Sequence, residues 1–79
     1  MRRVVLYSRP GCHLCDDARV VLERVRAEFP FVLEEVDITG DDRLHARYLE
    51  RIPVITLDGD ELFEYFVDED ALVTRLSVS

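Results

Sequence analysis

Val4 to Ala18 reads VVLYSRPGCHLCDDA. Val4-Val5-Leu6-Tyr7 is a β-branched and aromatic run without polar alternation, as suits a central strand covered on both faces. Ser8 to Gly11, with Pro10 and Gly11, breaks it. From Cys15 the pattern turns helical: Ala18, Val21, Leu22, Val25 and Phe29 recur at i, i+3, i+4, i+7 and i+11. Asp16 and Asp17 fall in the first turn, where the helix dipole favours anions, and Pro30 ends the helix. The chain's only two cysteines, Cys12 and Cys15, therefore stand where a strand gives way to a helix.

Working outward, Val32 to Ile38 predicts a second strand, with Glu34 and Glu35 weakening its alternation. Thr39, Gly40 and Asp41 form a turn, and a short helix over about Asp42 to Glu50 carries Leu44 and Tyr48 on one face. Pro53 opens the strand Val54 to Leu57, a tolerable place for a residue without an N–H. Asp58-Gly59 between two apolar runs is a hairpin signal, because a type I′ turn needs positive φ at both central residues. Glu61 to Phe66 returns as a strand. Asp68 is placed to cap a last helix that buries Ala71, Leu72 and Leu76. The order β-α-β-α-β-β-α predicts an α/β fold in which helices flank a four-stranded mixed sheet. The strands of the first crossover are parallel, and the hairpin is antiparallel. At 79 residues the expectation is one domain spanning 1–79.

Composition narrows the function. A hydrophobic content of 48% argues against disorder. A net charge of −7 argues against nucleic acid as a partner, since phosphates demand a basic surface. After Arg2 and Arg3, the run Val4 to Leu6 is too short for a signal peptide or a membrane span, so the chain is expected to be soluble and cytoplasmic, with no membrane partner. All basic residues are arginine, and Lys, Asn, Gln and Trp are absent. Heat adaptation and a compositional bias of the genome account for this equally well.

Three uses of the cysteine pair compete. As a staple it would close a tiny loop, which contributes little entropic stabilisation, in a compartment that tends to reduce it. As a structural zinc site it lacks ligands: only His13 and His45 could join it. His13 need not converge with both thiolates, and His45, between Arg43 and Arg47, reads as solvated. No metal is expected within the chain. As a redox pair it has the right setting, Cys-x-x-Cys between a strand and a helix within β-α-β. Unpaired N–H groups and the dipole at the helix start stabilise a thiolate, which is the reactive form. Cys15, one turn in, is placed to attack a mixed disulfide on Cys12.

Tyr7-Ser8-Arg9-Pro10-Gly11-Cys12-His13-Leu14-Cys15 resembles the active-site segment of the glutaredoxins, with Arg9 where they usually carry lysine. Ile52-Pro53 resembles their cis-proline dipeptide, and the element order matches the glutaredoxin core of the thioredoxin fold. Thioredoxins proper usually carry a tryptophan before the first cysteine, and this chain has none. The resemblance implies that Cys12 is the nucleophile and Cys15 the resolving thiol. It implies that Pro53 is cis and that the Ile52 backbone pairs with an extended peptide or with glutathione by strand addition. Arg9, Arg51, Ile52, Pro53, Val67 and Asp68 are then the substrate- or glutathione-binding candidates.

The chain departs from that family where a Gly-Gly pair usually follows the last strand. Here the stretch is Phe66-Val67-Asp68-Glu69-Asp70, which lacks the close approach that glycine allows. Asp68 or Asp70 can receive an ammonium group or simply charge a helix N-terminus. Arg51 stands where threonine is common, and Glu50 where a basic residue often meets glutathione. Histidine within such a motif can tune redox poise, but oxidases usually carry it directly before the second cysteine, where Leu14 stands. The expected function is reduction of protein disulfides or glutathione mixed disulfides by a monomer. No cofactor is tightly bound, and glutathione is a candidate reductant. An iron–sulfur or thiol-ligand binding module and an adaptor with dormant cysteines are the alternatives.

Overall fold

The apolar run Val4–Tyr7 lies inside a central strand, β1 (Arg3–Ser8), in the computed structural model, which describes residues 1–77. β1 is followed by α1 (His13–Glu28), β2 (Val32–Asp37), a one-turn 3₁₀ helix (Ile38–Gly40), α2 (Asp42–Tyr48), β3 (Val54–Leu57), β4 (Asp60–Glu64) and α3 (Glu69–Ser77). The sheet order is β2-β1-β3-β4. β1 runs parallel to β2 and antiparallel to β3, and β3 pairs antiparallel with β4. This is the four-stranded mixed sheet that the element order predicts.

Strand side chains alternate between faces, and two clusters result. Val4 and Leu6 of β1 and Ile55 and Leu57 of β3 pack with Ala18, Leu22 and Val25 of α1, Leu72 of α3 and Phe31. The helical stripe in the sequence thus becomes the main core. Ala71 and Leu76 are only half-buried, so Leu72 is the anchor of α3. The smaller cluster joins Val54, Ile38, Tyr48, Ile52 and Cys15, with Tyr7, Cys12 and Leu44 packed against it.

Local hydrogen bonding moves several boundaries. β2 stops at Asp37, not Ile38, because the Asp37 carboxylate accepts from the Thr39 N–H (2.9 Å) and hydroxyl (2.6 Å) and so caps a 3₁₀ turn. α2 ends at Tyr48 rather than Glu50, and the Arg51 N–H then closes onto the Tyr48 carbonyl (2.8 Å). β4 ends at Glu64 rather than Phe66, because Tyr65 adopts φ +69°. The hairpin turn has the positive φ at Asp58 (50°) and Gly59 (92°) that its sequence demands. Among the described residues no helix is long and apolar enough to cross a membrane.

Candidate functional site at the Cys-x-x-Cys junction

Pro10 and Gly11 turn the chain out of β1, and Gly11 adopts φ +76°, a conformation costly for other residues. Cys12 is extended and forms the N-cap of α1. Its Sγ accepts the Cys15 N–H at 3.1 Å, and its carbonyl accepts the Asp16 N–H at 3.1 Å. A sulfur thus takes the place usually held by a capping oxygen, at the positive end of a 16-residue helix.

Cys12 and Cys15 are joined as a disulfide with Cα atoms 5.2 Å apart, within the ordinary span of such a bridge. The two sulfurs are not equivalent. Cys12 is half-buried, whereas Cys15 is 1% exposed within the smaller cluster. Asp16 and Asp17 are both exposed, as expected, and Asp16 is paired with Arg19 at 2.8 Å.

The second wall is the segment before β3. The Ile52–Pro53 bond is cis, and Ile52 packs in the same cluster as both cysteines. Beside it, the rings of Tyr7 and Tyr48 lie 4.6 Å apart at 30°. The guanidinium groups of Arg47 and Arg51 sit over Tyr48, 5.3 and 5.4 Å from its centroid, a cation–π arrangement. The Tyr48 hydroxyl donates to Glu61 at 3.2 Å. Burial, and then Glu61, push the Tyr48 hydroxyl above its usual pKa. Hydrogen bonding from Arg51 holds Glu61 below the usual carboxylate range.

Arg51 is spread across β4, bonded to Glu61 and, through Nε at 3.1 Å, to Glu64. Residues three apart on a regular strand face opposite sides. The register shift between Ile55 and Thr56 leaves Leu62 as an extra residue, and such a bulge resets the alternation. One arginine therefore reaches both carboxylates.

A third wall follows β4. The Tyr65 N–H donates to the Pro53 carbonyl (2.9 Å), and its hydroxyl donates to the Glu50 carbonyl (2.8 Å). Tyr65 thereby ties the end of β4 to both sides of the Ile52–Pro53 segment. Phe66, next in the chain, is 68% exposed, Tyr65 46% and Leu14 48%.

Behind the junction, the buried Ser8 hydroxyl donates to Glu35 (2.9 Å), which also takes both Nε (2.7 Å) and a terminal nitrogen (2.6 Å) of Arg19. These bonds, Arg19 first, hold Glu35 below its usual pKa against the opposing effect of burial. Glu35, which weakens the alternation of β2 in sequence, is thus paired to α1.

Of the residues singled out in sequence, Cys12, Cys15 and Ile52 meet in one cluster, with Pro53 adjoining. Arg51 is held by β4 instead. Val67 packs against the main core. Asp68 caps α3, accepting the Ala71 N–H at 3.1 Å. Arg9 is exposed on the loop before α1, and among the described residues no ion pair engages it. His45 is half-buried rather than fully solvated. The sequence assigns no site role to Tyr65, Phe66, Glu61 or Leu14, although Phe66 stands out where a Gly-Gly pair is usual and Leu14 as an apolar residue between the two cysteines.

Over residues 3–77 the chain matches the family described as glutaredoxin-like domain (DUF836). A glutaredoxin-like protein of Dictyostelium discoideum, described as a YDR286C homologue, is 34% identical across 84% of this chain and 67% of its own length. The solution structure of protein Ne2328 from Nitrosomonas europaea has a TM-score of 0.85 and 36% identity, covering 96% of this chain and 92% of that one. A mutant thioredoxin from Halobacterium salinarum shares the fold, with a TM-score of 0.68 and 22% identity over 95% of this chain and 71% of that one. A thioredoxin fold with a Cys-x-x-Cys pair at the start of α1 suggests a redox function, and the chain belongs to the glutaredoxin-like domain family.

Proposed function

We propose that this chain is a dithiol oxidoreductase that reduces protein disulfides or glutathione mixed disulfides, with Cys12 as nucleophile and Cys15 as resolving thiol. The observation that carries this reading is the Cys15 N–H donated to the Cys12 sulfur at the start of α1, with Cys15 buried one turn inside. In the reduced protein the same N–H and the helix dipole favour a thiolate on Cys12. That thiolate attacks one sulfur of a substrate disulfide. The substrate S–S bond breaks, a Cys12–substrate disulfide forms, and the departing thiolate takes up a proton. Cys15 then loses its proton and attacks the Cys12 sulfur, expelling the second substrate thiol and closing the bridge. Two electrons pass from the dithiol to the substrate. An external thiol, such as glutathione, reopens the bridge. The chain acts as a monomer in a reducing compartment such as the cytoplasm, without a tightly bound cofactor.

The test uses the reduced protein and 4,4′-dithiodipyridine, a small neutral disulfide, followed by release of thiopyridone. Wild type should react rapidly and end with an intramolecular bridge. Cys12→Ser should lose the fast phase. Cys15→Ser should stop at a mixed disulfide visible by mass. Full exchange activity in Cys12→Ser would overturn the assignment.

A further inference from the structure

We propose that the disulfide end receives a protein segment carrying its cysteine beside an apolar residue and basic residues, in preference to glutathione. This rests on the oxidoreductase reading above and names the substrate class of that site.

The first support is apolar exposure. Leu14 lies between the two cysteines. Tyr65 is bonded to the carbonyls on either side of Ile52, and Phe66 follows it. Ile52 in turn belongs to the cluster that holds Cys15 and against which Cys12 packs. Leu14 thus adjoins the reactive bridge within α1, while Tyr65, with Phe66 beside it in the chain, adjoins it through the Ile52 segment, and each of the three is roughly half or more exposed. Scattered exposed apolar residues need no explanation, but a group around a reactive centre suits an apolar partner.

The second support is charge. Glutathione carries two carboxylates and one ammonium, so its binding calls for free cations. Three nearby cations are already engaged, Arg51 with Glu61 and Glu64, Arg47 with Glu61, and Arg19 with Glu35 and Asp16, which leaves the exposed Arg9, without an ion pair among the described residues, to face two ligand carboxylates. Engaging Arg51 with a ligand carboxylate would break two existing ion pairs. Exposed acids, in contrast, flank the same elements: Asp17 on α1, Glu50 beside the Tyr65 hydroxyl bond, and Asp70 just beyond Phe66. With a net charge of −7, the chain steers cationic partners inward and repels anionic ones.

The test compares three thiopyridyl mixed disulfides against reduced wild type: that of glutathione, that of the peptide Lys-Leu-Cys-Leu-Lys, and that of Glu-Leu-Cys-Leu-Glu. Each rate is divided by that for 4,4′-dithiodipyridine. At low salt the basic peptide should react at least about tenfold faster than either anionic substrate, and added salt should shrink that margin as charge screening tightens. In Phe66→Ser and Leu14→Ser the normalised rate of the basic peptide should fall several-fold. Equal or faster reaction of the glutathione adduct would overturn the proposal while leaving the oxidoreductase reading intact, and so would normalised rates that neither serine variant alters. A wild-type protein inert to the neutral disulfide as well would overturn both.

Discussion

Leu22, Val25, Leu6 and Leu57 meet in a cluster made of hydrocarbon and the phenyl rings of Phe31, Phe29 and Phe63, whereas the cluster around Cys15 joins sulfur and two tilted tyrosine rings, with two arginines held by carboxylates over one of them. The first draws on α1, α3 and both central strands. The second rests on α2, which has seven residues, and on the cis Ile52–Pro53 segment. A substitution in the first cluster changes how much apolar surface leaves water. One in the second changes what surrounds a reactive sulfur. The two clusters thus share elements, α1 carrying both Leu22 and Cys15 and β3 both Ile55 and Val54, but use different side chains of them.

The largest expected effect tests that division of side chains directly. Leu22 is fully buried in the main cluster, and Leu22→Ala should destabilise by about 2–5 kcal/mol, the usual span for a buried leucine. That is a large part of the stability available to a small domain. Urea unfolding would measure it. In the fraction that remains folded, alkylation of reduced Cys12 should proceed at the wild-type rate. A loss under about 1 kcal/mol would mean that the core collapses around the gap. An altered alkylation rate would mean that the two clusters are coupled.

The next effect lies at the edge of the main core. Asp68 caps α3, whose Leu72 is fully buried, so Asp68→Ala should cost about 1 kcal/mol in urea unfolding. Asp68→Asn keeps an oxygen that can accept the Ala71 N–H and should stay near wild type. If the asparagine variant lost as much as the alanine variant, the carboxylate's charge rather than its cap would be what matters there.

The main cluster was also the part most legible in sequence. The stripe Ala18, Leu22, Val25 is a local pattern, and so are the Asp58-Gly59 turn and the Asp68 cap. Local patterns need only the neighbouring chain to be read. Much of the second cluster's surroundings depends on distant pairings. Arg51 finds Glu61 and Glu64 because a bulge in β4 turns both carboxylates the same way. Tyr65 stops β4 by taking positive φ without being glycine, fixed by bonds to Pro53 and Glu50 that no short motif encodes. The cysteine junction was legible because the strand, the Pro-Gly break and the helix pattern are contiguous.

The smallest effect concerns the link between the two regions. Glu35 joins Ser8, at the end of β1, to Arg19, which also holds Asp16 in the first turns of α1. Its carboxyl titrates below the usual range in the folded protein, chiefly because Arg19 donates to it. A carboxyl depressed in this way adds stability above its ordinary pKa and loses it as pH falls through the folded value. Side-chain exposures of 39% and 38% screen the pair, so about 0.5–1 kcal/mol is expected near neutral pH. Glu35→Gln should therefore lower stability by that amount at pH 7 and fade toward no difference near pH 3. Urea unfolding at several pH values, with and without added salt, would show it. A difference that persisted undiminished into acid would point to packing or to the Ser8 hydrogen bond instead of charge. Cys12 alkylation at pH 7 should shift by less than about twofold, since a screened pair moves a neighbour by only a fraction of a pK unit. A larger shift would mean that the Glu35–Arg19 pair orients the start of α1, and that the reactive sulfur depends on β2 as well as on its own helix.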